Sequence, residues 1–177
     1  MRRPSPRVLD GVGILARLGL AAVWLGSGAL KIVDPAHTRI AVRAYEVLPP
    51  DLVGPVAAAL PLVELVLGTL LLIGAFTRWA ALLSAALLVV FMLGVGQAWV
   101  RGLSIDCGCF GGGGAVAEGS AGYLLDLARN AGLLVVALWL LVRPRTAWSV
   151  DGWRQGGGAD TVWSGIYSDT GPVDRRG

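Results

Sequence analysis

Four long apolar runs constrain this chain more than any other feature. They extend over residues 8–30, 52–76, 79–100 and 122–142. At about 1.5 Å per residue, some twenty helical residues span the roughly 30 Å hydrocarbon core of a bilayer. We therefore predict an all-α, polytopic membrane protein built as a four-transmembrane-helix bundle.

Composition agrees with this class and argues against others. Charged residues make up 15% of the 177-residue chain, whereas a soluble domain carries about 25%. The net charge of +3 comes almost entirely from arginines, and these stand at the ends of the apolar runs, where membrane topology explains them. With no base-reading motif or basic stripe, we expect the lipid bilayer and not nucleic acid as a partner.

The first run follows a basic tail, residues 1–7. A signal peptide is the alternative interpretation, but its apolar core is only about 7–15 residues long. The run over 8–30 is longer and contains Arg17. We interpret it as a retained first helix.

The polar interval after the first run contains a short amphipathic pattern. Asp34 followed by Pro35 suits a helix start, because Asp can cap and Pro favours the first helical position. Apolar residues then recur every four positions from Ala36 to Leu48. The opposite face carries Arg39, Arg43 and Glu46. This predicts an interfacial helix between helices 1 and 2 that ends at Pro49; an ordinary connecting loop is the alternative.

Four crossings place both termini on the same side of the membrane. The positive-inside rule assigns that side to the cytoplasm, and it assigns the interfacial helix and the cysteine loop to the outer face. Residues 8–142 form the predicted membrane domain. Residues 143–177 form a polar, glycine-rich tail that we expect to be disordered.

The ionisable residues within the apolar runs include Arg17, Glu64 and Arg129. A charge at the bilayer centre costs at least about 2.5–3.5 kcal/mol, so such a group is paired, faces a cavity or is functional. Their depths allow the three to meet in an intramembrane polar pocket, suited to a quinone headgroup or a proton path. A structural ion pair is the alternative, and Asp126 is also spaced to pair with Arg129.

Both cysteines, Cys107 and Cys109, lie in a glycine-rich interval between the third and fourth runs. A disulfide between residues two apart departs from the preferred geometry, which makes it easier to exchange. Arg101 would favour the reactive thiolate of Cys107, and Asp106 would oppose it. Thiol–disulfide exchange is the leading hypothesis. Two alternatives remain open. One is a soft-metal site, for which two thiolates and a His37 that is distant in the sequence offer few ligands. The other is a structural role.

Single residues in the membrane domain combine with the cysteine loop into a longer pattern over roughly residues 15–142. It comprises Arg17, Gly28, Lys31, Pro35, Tyr45, Leu48-Pro49, Pro61, Glu64 and Cys107-Gly108-Cys109-Phe110-Gly111. This pattern resembles the MauE family of methylamine-utilisation membrane proteins, which groups with the DoxX-like four-helix membrane proteins. The arginine-rich, lysine-poor composition fits a GC-rich bacterial genome, and hence a bacterial plasma (inner) membrane.

The resemblance implies that the chain helps an exported redox enzyme to mature, by forming or shuffling disulfides with a thioredoxin-like extracytoplasmic partner. Cys107 and Cys109 would be catalytic. The supporting residues would be Lys31, Tyr45, Arg101, Asp106 and Phe110. We expect no covalent cofactor and no metal, with a quinone as the candidate acceptor.

One departure from better-known membrane thiol oxidases leaves the enzyme assignment open. Those relays commonly use two cysteine pairs, and this chain has one pair. Either the single pair does both jobs, or the partner supplies the second pair, or the protein only positions a partner. A membrane thiol–disulfide oxidoreductase is therefore weighed against a non-enzymatic assembly factor and, third, a soft-metal handling protein.

Overall fold

The computed structural model describes residues 6–103, 105–106, 114–115 and 122–143. Within these ranges the helices are α1 (Pro6–Val33), α2 (Pro35–Ala44), α3 (Pro50–Ile73), α4 (Thr77–Val100) and α5 (Tyr123–Val142). All but α2 are long and apolar enough to cross a membrane. The predicted all-α, four-helix membrane bundle with a short helix between helices 1 and 2 is confirmed.

The four long helices pack mainly as two pairs. Helix α1 lies along α3, and α4 lies along α5. A common apolar core joins the pairs and includes Leu20, Trp24, Leu71, Leu88 and Leu140. The indole Nε1 of Trp24 donates to Ser84 Oγ at 2.9 Å, so the polar hydrogen of this buried ring is satisfied inside the core.

Two glycines allow α1 and α3 to approach closely. A Cβ added at Gly28 would lie 2.9 Å from Leu65 Cγ and 3.0 Å from the Pro61 carbonyl oxygen. A Cβ added at Gly68 would lie 2.7 Å from Leu25 Cγ and 3.0 Å from the Leu25 backbone nitrogen. Small residues at such points are how membrane helices gain packing contact in the absence of a hydrophobic driving force.

The turn between the second and third spans differs from the sequence prediction. We placed it at Thr77-Arg78, but α3 ends at Ile73 and α4 begins at Thr77. Gly74 ends α3 with a left-handed φ of 67°, a conformation that glycine adopts without steric cost. The chain therefore turns at the glycine, three residues earlier than predicted.

Helix α2 starts as predicted and ends early. Asp34 caps it, because its Oδ1 accepts the His37 N–H at 2.9 Å. The helix ends at Ala44 and not at Pro49. Gln97 Nε2 donates to the Tyr45 carbonyl at 2.8 Å, and Glu46 takes a left-handed φ of 52°. A hydrogen bond from α4 thus terminates α2.

A short β-hairpin lies between α4 and α5, where we predicted only a glycine-rich loop. Strands β1 (Ile105–Asp106) and β2 (Gly114–Ala115) are antiparallel, with Ile105 opposite Ala115 and Asp106 opposite Gly114. Strand β2 lies against α2. Two-residue strands are too short to leave a period-2 pattern in a sequence, so this element had no signal to detect.

The close approach of α1 and α3 predicts a difference between two alanine substitutions in α3. Gly68→Ala should destabilise the fold by about 1–3 kcal/mol, because the new methyl would force the helices apart. Gly54→Ala should be neutral or stabilising by up to about 1 kcal/mol, since nothing lies within 4 Å of its Cβ position. Thermal unfolding of both variants in one detergent compares them. Equal melting temperatures would contradict the close contact.

Candidate functional site

A buried ion pair joins α1 to α3. Lys31 Nζ lies 2.8 Å from Glu64 Oε1 and 2.9 Å from Oε2, and it donates to Ser27 Oγ at 2.6 Å. The side chain of Lys31 is 8% exposed and that of Glu64 is 0% exposed. An ammonium has three N–H donors, so this arrangement uses all of them. The two charges are compensated in a part of the chain where an isolated charge would be costly.

Local sequence explains why the pair forms here. Ser27 and Lys31 are four residues apart on α1, so they lie on the same face of the helix. Gly28 lies between them and brings the α1 backbone close to Pro61 and Leu65. Glu64 follows Pro61 by three residues on α3 and so points toward the same helix. The Pro-x-x-Glu spacing thus places a carboxylate opposite the lysine.

Helix α2 covers the end of α1 beside this ion pair. Thr38 Oγ1 donates to the Lys31 carbonyl at 3.2 Å and to the Asp34 carbonyl at 3.0 Å. Thr38 and Ala41 are buried against the bundle, whereas Ile40 is 56% exposed. The helix therefore rests on the bundle by one face and leaves Ile40 on the outer surface.

A cavity of about 260 Å³ lies between α2, α3 and α4, next to Lys31. Apolar side chains make up most of its wall, among them Val56, Leu60, Val90 and Phe91. Its polar lining comes from Lys31, Asp34, His37, Thr38 and Tyr45. An apolar cavity with a few polar groups at one side is the usual form of a small-molecule site.

His37 is the single histidine of the sequence. It is partly buried and lines the cavity. Its Nε2 is buried and has no hydrogen-bond partner among the described residues. A buried polar atom left unpaired costs about 1–3 kcal/mol, so this nitrogen marks a place where a polar group of a ligand would be stabilising.

The structure does not place Arg17 beside Glu64, as the predicted intramembrane pocket requires. The carboxylate of Glu64 is paired with Lys31, and Arg17 lies about 21 Å from Lys31 along α1 by helical rise. Arg17 is buried at 3% exposure near the other end of the bundle. The sequence analysis did not predict Lys31 as the partner of Glu64, because Lys31 was counted as part of the polar interval.

Arg129 forms the ion pair that its spacing allowed. Its Nη2 lies 3.1 Å from Asp126 Oδ1 on the same helix. Arg129 and Asn130 line a crevice of about 10 Å³ together with Ser27. Since Ser27 also accepts a hydrogen bond from Lys31, this serine belongs both to the crevice and to the surroundings of the Lys31–Glu64 pair.

Among the other predicted supporting residues, the structure describes Tyr45, Arg101 and the backbone of Asp106. Tyr45 lines the cavity. The guanidinium of Arg101 binds Glu46 at 2.7 Å and Gln97 at 3.2 Å, which ties the end of α4 to the segment after α2. The backbone of Asp106 belongs to β1. Cys107, Cys109 and Phe110 lie outside the described residues, as does the predicted tail from residue 144 onward.

The hairpin that flanks the cysteine segment is held to α5 by a residue that sequence reasoning missed. The Tyr123 hydroxyl accepts the Ile105 N–H at 3.0 Å and donates to the Leu103 carbonyl. The Tyr123 ring stacks on Trp99 of α4, with ring centroids 6.3 Å apart. Ser27 was missed as well; its spacing of four residues before Lys31 was the available signal, whereas Tyr123 had none.

The ion pair predicts that removing the charge of Glu64 alone destabilises the fold more than removing the charges of both Lys31 and Glu64. Glu64→Ala should destabilise the fold by about 3–5 kcal/mol, because it leaves a buried ammonium without its counter-charge. Lys31→Met combined with Glu64→Gln should cost less than Glu64→Ala, because no buried charge remains. Thermal unfolding in detergent measures both. A double variant at least as unstable as Glu64→Ala would contradict a charge-compensating role.

The contact between Tyr123 and the hairpin predicts a local effect of removing one hydroxyl. Tyr123→Phe retains the ring on Trp99 and loses both hydrogen bonds. Hydrogen exchange at the Ile105 amide should become roughly tenfold faster, equivalent to about 1.4 kcal/mol. Mass spectrometry of exchanged peptides measures this, with the central turns of α5 as the unchanged reference. Unaltered exchange at Ile105 would show that the hydroxyl does not hold the hairpin.

Comparison with known proteins identifies the family. Residues 9–143 match the family described as methylamine utilisation protein MauE, so the match spans most of the chain and all four long helices. Comparison with curated proteins and with solved structures gives no significant match. The family resemblance predicted from the residues is therefore confirmed, and the chain belongs to the MauE family as a multi-pass membrane protein.

Proposed function

We propose that this protein exchanges disulfides with an exported partner through Cys107 and Cys109. The observation that carries the proposal is the hairpin. Asp106 and Gly114 are paired neighbours on its two strands, so the segment with both cysteines connects strands that are fixed to the bundle. Tyr123 holds β1 to α5, and β2 lies against α2. A thiol pair presented from an anchored hairpin is suited to docking against a partner.

The proposed exchange balances two electrons and two protons. A thiolate of the partner attacks one sulfur of the Cys107–Cys109 disulfide and forms a mixed disulfide, which releases the other cysteine as a thiolate. The second partner thiol then attacks the partner sulfur of that mixed disulfide, so the partner leaves oxidised and Cys107 and Cys109 leave as two thiols. Regeneration of the disulfide needs a two-electron acceptor, for which a membrane quinone is chemically suited.

The chain topology supports the location of this chemistry. Between the end of α1 and the hairpin the chain crosses by α3 and returns by α4, so α2 and the hairpin share one side of the membrane. The positive-inside rule assigns that side to the outside of the bacterial plasma membrane, with both termini in the cytoplasm. Thiols persist as disulfides in that compartment. The expected partner is a thioredoxin-like protein or an exported redox enzyme that requires disulfides.

The proposal predicts that a single cysteine variant traps its partner. In Cys107→Ser or Cys109→Ser the remaining thiolate should attack the disulfide of the oxidised partner, the reverse of the exchange, and form a mixed disulfide while releasing one partner thiolate. This adduct should accumulate, because the second cysteine of this chain that would resolve it is missing. The double variant should trap nothing and should leave the partner reduced in cells. Non-reducing gel electrophoresis with mass-spectrometric identification measures the adduct, and a membrane-impermeant alkylating reagent reports which side the thiols face. Ser104→Ala, in the same interval, is the matched control.

Three results would contradict the exchange proposal. Normal partner oxidation in the double serine variant would favour a non-enzymatic assembly factor. Thiols that react only from the cytoplasmic side would contradict the topology. Stoichiometric Cu(I) bound by the reduced protein and lost in the double variant would instead favour soft-metal handling.

A further inference from the structure

We propose that the cavity beneath α2 binds the headgroup of a membrane quinone, with the apolar tail leaving into the bilayer past Val56 and Val90. The inference rests on the proposed disulfide exchange, because the quinone would be the acceptor that reoxidises Cys107 and Cys109. It places the acceptor at Lys31 and α2, and not at the Arg17, Glu64 and Arg129 cluster expected from sequence.

The position of the cavity favours a ligand that arrives from lipid. Val56 and Val90 line it, and they are also 37% and 60% exposed on the surface of the bundle. By helical rise, Val56 lies about 9 Å from the start of α3 and Val90 about 15 Å from the end of α4. Those depths lie within two spans that are apolar enough to cross the membrane. A lipid-soluble molecule can therefore reach the cavity sideways.

The charges at the polar side favour a neutral headgroup. Lys31 is the ammonium that lines the cavity, and its N–H donors are taken by Glu64 and Ser27. Asp34 adds a carboxylate to the lining. A phosphate headgroup would meet the Asp34 carboxylate and one already compensated ammonium, which opposes its binding. A quinone and its quinol are both uncharged, so they avoid that repulsion.

His37 offers the hydrogen bond that such a headgroup needs. Its Nε2 is buried and unpaired among the described residues, and the residue lines the cavity. An imidazole nitrogen donates a hydrogen bond in one tautomer and accepts one in the other. Donation suits a quinone carbonyl, and acceptance suits a quinol hydroxyl. A small rotation of the ring toward the cavity would make either bond.

The redox step balances in electrons and protons without a further reactant. The dithiol of Cys107 and Cys109 gives two electrons and two protons, one S–S bond forms, and the quinone becomes quinol with two new O–H bonds. Strand β2 and the cavity are both in contact with α2. The hairpin that flanks the cysteine segment and the cavity therefore lie at the same end of the bundle, and the proposed step requires no transfer across the membrane.

The experiment uses a photoreactive azido-quinone with a decyl tail, applied to the full chain in lipid nanodiscs. The probe should label peptides of α2, α3 or α4 that line the cavity, and excess decyl-quinone should suppress the label. Val90→Trp should reduce the competed label at least fivefold, because the indole narrows the mouth. Val89→Trp is the matched control: Val89 is the neighbouring exposed residue on α4, and it does not belong to the lining.

Binding is measured in the Cys107→Ser/Cys109→Ser variant as well as in the native chain, so that it is separated from thiol chemistry. Competed labelling in both supports the site, even if the partner-trapping experiment fails. Label spread over lipid-facing peptides, label that decyl-quinone does not suppress, or equal label in Val90→Trp and Val89→Trp would overturn it. Suppression by phosphatidylglycerol instead of decyl-quinone would assign the cavity to a phospholipid and also overturn it.

Discussion

The buried contact between Lys31 and Glu64 is the interaction on which the end of the bundle that carries α2 depends. Neither charge is stable alone among apolar side chains, so α1 and α3 must meet closely enough to join them. Gly28 makes that approach sterically allowed, and Ser27 takes the ammonium hydrogen that Glu64 leaves over. Helix α2 then covers the end of α1, where Thr38 donates a hydrogen bond to the carbonyl of Lys31.

Charge compensation also decides what the adjoining cavity can hold. A lone lysine there would attract lipid phosphates, and a lone glutamate would attract cations. Joined at 2.8 Å, they provide polarity with little net charge. The remaining polar lining, Asp34 and His37 among it, adds no free cation within the described part of the cavity wall. A cavity with these properties selects for uncharged molecules that carry hydrogen-bonding groups, which is the chemical description of a quinone headgroup.

The length and periodicity of the apolar runs were enough to predict the four spans. The contacts between elements that are distant in the sequence could not be predicted from them. The four spans and the Asp34 cap follow from local composition. The partner of Glu64 did not, because Lys31 belongs to α1 only when that helix runs on to Val33. The turn at Gly74 and the end of α2 at Ala44 were misplaced, because a left-handed glycine and a bond from Gln97 set them. The hairpin depends on Tyr123, eighteen residues away from Ile105.

The position of α2 bears on how a chain with a single cysteine pair can carry out the proposed exchange. Relays with two pairs carry electrons between a partner-facing site and a separate quinone-facing site. Here β2 and the cavity both contact the same short helix, so the two functions proposed for this chain are adjacent. If the cysteine segment can reach the mouth of the cavity as well as a partner, one pair suffices for both reactions. A second cysteine pair is then not needed to connect two separate sites, because α2 brings the hairpin and the cavity to one end of the bundle.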